Sequence, residues 1–288
     1  MNREDGRLPY RQAIRLVHEF QVAAGSVALV AVDRDLDRAV LLKMLHRQAL
    51  RRPDDLTVSM NGMASSLQRP VETVRRSALE LADAGLCERI ARGVRRRPDF
   101  LAHPTIVASA RELRMLFDYM LDGFELTGFT LPAGGRDAGE AATVAAALDI
   151  YLSVFELNEL RFTAPMRLYL LGQIAVMNAA ALTRDSVLGP AYGLDATVPP
   201  DALRRPAPLR EIAARDGFPY TTIWRHAKAA AADGLIRRVR GGYLLSQVYM
   251  DNADTTKRRR ERIRYVRRVL IDLAEGRYRP GERIVATT

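Results

Sequence analysis

Cysteine, lysine, histidine and tryptophan are scarce in this 288-residue chain, and it has no long apolar run. A single cysteine, Cys87, excludes an intramolecular disulfide and points to a reducing compartment. The four histidines, His18, His46, His103 and His226, are scattered. None has a cysteine or a second histidine at ligand spacing, so a zinc site has no support. There is no Gly-x-Ser-x-Gly, no lysine-bearing phosphate loop and no dinucleotide fingerprint. Residues 33–37 resemble a calcium loop in outline, but Arg38 stands where glycine is needed and Met44 where glutamate is needed. Helix capping accounts for that stretch better, with Asp37 as the helix-start residue. No enzymatic role and no cofactor is expected. No uninterrupted apolar run nears the ~18–20 residues that span a bilayer, and the opening residues lack the apolar core of a signal peptide. The cytoplasm is therefore the expected location.

Arginine is abundant. Lys and Arg total 44 against 34 Asp and Glu, for a net charge of +10, and only Lys43, Lys228 and Lys257 are lysines. A polyanionic partner follows, with double-stranded DNA first and a nucleoid association with it. An arginine bias also arises from a GC-rich genome, so the distribution matters more than the total. Residues 257–268 carry eight basic residues and one acid. This helix has three readings: a solvated face with Ile263, Val266, Val269 and Leu270 pointing inward, a helix lying along DNA, and, least favoured, a membrane-surface helix. Cys87 falls where a small buried apolar residue is expected.

Three-to-four-residue apolar spacing predicts helices over residues 9–24, 37–50, 105–126, 140–160, 165–181 and 255–275. Residues 131–139, Leu-Pro-Ala-Gly-Gly-Arg-Asp-Ala-Gly, read as a linker between a domain over 1–130 and another over 140–288. Five prolines between 189 and 208 predict an extended loop. Aromatic residues cluster on the helices outside the repeat described next: Phe117, Tyr119, Phe124, Phe129, Tyr151, Phe155, Phe162 and Tyr169. They are read as core or as a homodimer face before a small-molecule effector pocket. The effector, if there is one, is not identifiable from the sequence.

Sliding the chain against itself by 149 residues lays 62–93 on 211–242 without a gap. Ten pairs are then identical, among them Ala64/Ala213, Pro70/Pro219, Thr73/Thr222, Arg76/Arg225, Ala78/Ala227, Gly85/Gly234 and Gly93/Gly242. Chance would supply roughly two. The second copy reads as a short helix from 209, a turn at Asp216-Gly-Phe-Pro, a helix over 220–233, Gly234 as a stop, a strand, a Gly241-Gly242 turn and a returning strand. The first repeats this order, with a turn through Arg69 and Pro70 and a helix over 71–84.

These segments, EIAARDGFPYTTIWRHAKAAAADGLIRRVRGGYLL and GMASSLQRPVETVRRSALELADAGLCERIARGVRRRPDFL, resemble winged helix-turn-helix domains of bacterial transcription regulators. The resemblance covers about 40 residues in each half, motifs 60–101 and 208–246, and identifies no subfamily. It implies a mainly α fold with small β-hairpin wings, two such domains standing in tandem in a duplicated chain. It also implies a second helix that enters the DNA major groove.

With Val74, Ala78 and Leu81 toward the core, Glu72, Arg75, Arg76 and Leu79 lie on the opposite side of the first reading helix. The same rotation exposes Thr221, Arg225 and Lys228 in the second, with Tyr220 and Thr222 at its entry and His226 beside the face. Arginine can fork onto guanine, and threonine can meet phosphate or a thymine methyl. The wings offer Arg92, Arg95, Arg96 and Arg97 in the first copy, and Arg237, Arg238 and Arg240 in the second, for phosphates or the minor groove. Arg69 joins them from the turn. Trp224 is read first as packing at the flank of its helix, and second as a DNA or interface contact. Glu72 is an acid where phosphates would lie: it accepts from cytosine, or the first copy binds weakly or serves as scaffold. The expected function is a sequence-specific, non-enzymatic transcription regulator that binds double-stranded DNA. The alternatives are a plasmid-type replication initiator, which also resembles paired winged-helix domains, and a chromosome-organising or protein-interaction scaffold.

Overall fold

The computed structural model describes residues 9–67, 69–91, 93–127, 138–157 and 165–279. Helices dominate them, with two small antiparallel two-stranded hairpins. In chain order the helices are α1 (Tyr10–Val30), α2 (Leu36–Arg51), α3 (Met60–Leu67), α4 (Val71–Asp83), α5 (Pro104–Glu125), α6 (Glu140–Glu156), α7 (Pro165–Ala179), α8 (Leu188–Ala191), α9 (Leu209–Asp216), α10 (Tyr220–Ala232), α11 (Gln247–Asp251) and α12 (Ala253–Ala274). Strands β1 (Cys87–Ile90) and β2 (Gly93–Arg96) form one hairpin, and β3 (Ile236–Val239) and β4 (Gly242–Leu245) the other.

The repeat survives element by element. Shifting α3, α4, β1 and β2 by 149 residues reproduces the bounds of α9, α10, β3 and β4. Even the extra bridge beside each hairpin keeps its register: Thr57 pairs with Arg95, and Ala207 with Tyr243. That third segment presses backbone on backbone, and a Cβ on Gly242 would run into the Ala207 carbonyl group. Gly85 and Gly234 end the two second helices with φ of 77° and 70°, a left-handed turn that glycine adopts without strain.

The chain divides into two compact units, and they are not the halves on either side of the 131–139 segment. One gathers the described residues among 24–117, 132–165 and 268–288, and contains the first copy. The other gathers those among 1–23, 118–131 and 166–267, and contains the second. The reason is side-chain packing between segments far apart in sequence. Helix α6 follows the expected linker yet packs on α2 and α3 of the first-copy unit. Its buried Asp149 accepts hydrogen bonds from Arg47 at 3.1 Å and from the Tyr278 hydroxyl at 2.6 Å. Of the expected linker, 131–137 lie outside the described residues, as do Phe129 and Phe162; Gly139 caps α6. Phe117, Phe124, Tyr151, Phe155 and Tyr169 are buried core, whereas Tyr119 is exposed on α5.

Two helix starts and ends differ from expectation. Asp35, not Asp37, caps α2, accepting from the Arg38 amide at 2.8 Å. Helix α1 runs through Gly25 to Val30. A mid-helix glycine costs about 1 kcal/mol relative to alanine, and burial of Ala24, Ala28 and Leu29 outweighs it. Among the described helices α1 is the one long and apolar enough to cross a membrane, but 67% of its apolar window is buried inside the protein. It is a core helix.

Candidate nucleic-acid interface

In the second-copy unit, α7 holds the parts around α10 in place. Gln173 donates to the Asp216 carboxylate at the end of α9 at 2.7 Å and to the Tyr169 hydroxyl at 2.9 Å. The Tyr169 ring meets Phe218 edge-on in the turn that follows. One turn on, buried Asn178 donates to the carbonyls of Arg205 (2.8 Å) and Tyr243 (3.1 Å) and accepts from the Leu245 amide (2.8 Å). Helix and hairpin are thereby fixed to one support.

Helix α10 buries Ile223, Ala227 and Ala230. Tyr220, Thr221, Trp224, Arg225 and Lys228 are exposed on the opposite face; Thr222 and His226 are half-buried beside it. Burial, then the charges of Arg225 and Arg167, push the His226 imidazole below its ordinary range. No acid lies on α10 and no side chain caps its start. Lys228 sits 5.4 Å from the Trp224 ring and Arg210 5.9 Å from the Tyr220 ring. In the hairpin Arg238 and Arg240 are exposed. Among the described residues, no acid pairs with Arg225, Lys228, Arg238 or Arg240. Arg237 is paired with Asp201.

The first copy has the same backbone plan and different electrostatics. Val74, Ser77, Ala78 and Leu81 face inward on α4, and Glu72, Arg75 and Arg76 outward, with Leu79 half-buried. Two arginines share α4 with three acids. Arg75 is bonded to Glu72 through two nitrogens at 2.7 and 2.9 Å, and this bond holds the Glu72 carboxyl below its usual range. Across the hairpin, Arg95 pairs with Glu88 at 2.7 Å, its register partner. Arg97 pairs with Asp99 at 2.9 Å, Arg69 with Asp37 at 2.7 Å, and Arg89 with Asp83. Of the residues singled out in this copy, Arg76 has no acid partner among the described residues. Arg92 lies outside them.

Arg96 corrects the sequence reading. It is 2% exposed rather than part of a basic wing surface. Alternate residues of β2 point inward, so Val94 and Arg96 go in while Arg95 goes out. Its guanidinium donates to the carbonyls of Arg52 (2.8 Å) and Asp55 (2.6 Å) and lies 6.0 Å from the Phe100 ring. Trp224 is the second correction. It is 46% exposed in the middle of the outer face, not packed at the flank. Its place four residues after Tyr220 and four before Lys228 was the available signal.

Helix α12 turns Ile263, Val266, Val269 and Leu270 inward, as its apolar spacing suggested. Within 257–267, Arg259 and Arg260 both bind Asp195 at 2.7 Å, while Lys257, Arg264 and Arg267 are exposed. Cys87 is buried, and burial pushes its thiol up to about 11. Among the described residues, no group of three or more His, Cys, Asp or Glu is placed to hold a metal ion. Set against known proteins, the chain matches no family model, no curated protein and no solved structure.

Proposed function

We propose that the two helix–helix–hairpin modules are tandem winged helix-turn-helix domains, and that the protein is a non-enzymatic, cytoplasmic regulator of transcription that binds double-stranded DNA. The observation that carries this reading is the outer face of α10. It presents Thr221, Trp224, Arg225 and Lys228 to solvent with no acid on the helix, and a hairpin follows it with Arg238 and Arg240 exposed. A helix of ordinary diameter with such a face fits the major groove, and the hairpin cations suit the adjoining phosphates. The uncapped, acid-free first turn of α10 adds an end that favours a phosphate.

The second module is the principal reader in this account. Glu72, Glu88, Asp83 and Asp99 already occupy the arginines that the first module would offer to phosphates. Its role is scaffold first, with Arg76 as its remaining DNA-facing cation. The test is anisotropy of a labelled mixed-sequence duplex titrated with the full chain at two salt concentrations. Binding with a steep salt slope is expected. No binding at low salt, with the protein folded, refutes it and favours a protein-facing scaffold. Mapping of bound genomic sites then separates promoters from origin repeats, the alternative target.

A further inference from the structure

Along the outer face of α10, Tyr220, Trp224 and Lys228 succeed one another at four-residue intervals, one above the next. Trp224 is 46% and Tyr220 45% exposed. Lys228 flanks the first ring and Arg210 the second. The equivalent positions in the first copy hold Val71, Arg75 and Leu79, and Arg75 is tied to Glu72. The aromatic row therefore belongs to the second module alone. Phosphate binding does not call for it, because an indole carries no charge and only one donor.

Resting on the reading of α10 as the groove helix, we infer that Trp224 is a specificity-determining contact that reads the C5-methyl group of a thymine. A base inside a duplex shows a groove-bound helix only its edge, since its faces are stacked on its neighbours. Among the groups on major-groove edges, the thymine methyl is the apolar one; the others are hydrogen-bond donors and acceptors. An indole pressed against those polar edges would strip their water and return at most one hydrogen bond. Against the methyl it removes apolar surface from water on both sides. Thr221, three residues earlier on the same face, adds a methyl-bearing side chain, while Arg225 next to Trp224 can fork onto a guanine. The flanking cations face the phosphates on either side of the groove. The preferred half-site then combines a thymine under Trp224 with a guanine under Arg225.

The test uses the full chain and a duplex recovered by it from a randomised pool. Each thymine is replaced in turn by uracil, which lacks only the methyl. For the natural protein, one or two of these replacements are expected to weaken binding about fourfold, the value of one buried methyl-sized group. At one of these thymines Trp224→Ala should bind the thymine and uracil duplexes alike, and Trp224→Phe should keep part of the preference there. Thermal melting checks that both variants fold. Equal binding of the natural protein to every uracil duplex overturns the inference while leaving groove binding intact, and so does a Trp224→Ala variant that still discriminates at every thymine the natural protein does. Recovery of no duplex from the pool overturns the groove reading itself, and this inference with it.

Discussion

Removing four cations from the second module should flatten the salt dependence of DNA binding, while removing arginines from the first should hardly change it. The perturbation is Arg225→Ala, Lys228→Ala, Arg238→Ala and Arg240→Ala together, set against Arg75→Ala, Arg95→Ala and Arg97→Ala together. The first four side chains have no acid partner among the described residues and are exposed. The other three are held by Glu72, Glu88 and Asp99. Each phosphate neutralised by an otherwise uncommitted cation adds about 0.9 to the slope of log K against log salt. Four such contacts give about 3.6, so a fourfold rise in salt weakens binding through them by roughly 150-fold. An arginine already paired to a carboxylate brings no net charge to the duplex, and the triple variant should change the slope by less than about one. Arg76→Ala alone is worth at most about 0.9. The assay is anisotropy on one labelled duplex across a salt series. A triple variant that loses as much slope as the quadruple variant refutes the assignment of the second module as the reader. An unchanged slope in the quadruple variant, with the fold intact by circular dichroism, refutes it equally.

Three further outcomes follow from buried polar groups. Asn178→Ala removes a side chain with three hydrogen bonds to backbone groups and should destabilise the protein by about 2–4 kcal/mol in urea unfolding; a change under about 0.5 kcal/mol, the scale of an ordinary surface substitution, contradicts its role as the support of the hairpin. Arg96→Met should cost a similar ~2–4 kcal/mol through the freed carbonyls of Arg52 and Asp55, yet leave DNA affinity unchanged below the melting transition; a lost salt-slope unit would instead return Arg96 to the interface. Lys43 is buried beside Ser109, and burial pushes its ammonium from 10.5 down to about 7. Below pH 7 both folded and unfolded chains carry that proton, and the cost of burying it is full. Between pH 7 and 10.5 only the unfolded chain holds it, so stability rises with pH. Lys43→Met should therefore raise the melting temperature most near pH 6–7, with the advantage shrinking toward pH 10.5; a gain independent of pH contradicts this.

The sequence carried the local plan of this protein well and its long-range partnerships poorly. The offset of 149 residues predicts two modules of one design, and the elements of the modules fall on each other at that offset. Apolar spacing also places Val74, Ala78 and Leu81 inward, and Ile263, Val266, Val269 and Leu270 with them. Strand alternation could have turned Arg96 inward, since Val94 two residues earlier is the apolar member of β2. The Glu72–Arg75 pair sits at helical i,i+3 spacing and was legible in principle. The Arg95–Glu88 pair needs the hairpin register, which a slip of a single residue in the turn would destroy. Packing of α6 on α2 and α3 leaves no periodic trace, because an all-round apolar helix records burial and not its neighbour. The compact units therefore escaped a reading that cut the chain at its glycine-rich segment.

Trp224 is the chain's single tryptophan, so its fluorescence reports on the outer face of α10 and nothing else. Collisional quenching by acrylamide, which is uncharged and blind to the DNA field, measures how much of that indole water can reach. Easy quenching of the free protein is expected, with marked protection when a mixed-sequence duplex is added at low salt and return of quenching as salt releases the DNA. A duplex that binds by anisotropy while leaving Trp224 as open to acrylamide as before would show that α10 does not enter the groove.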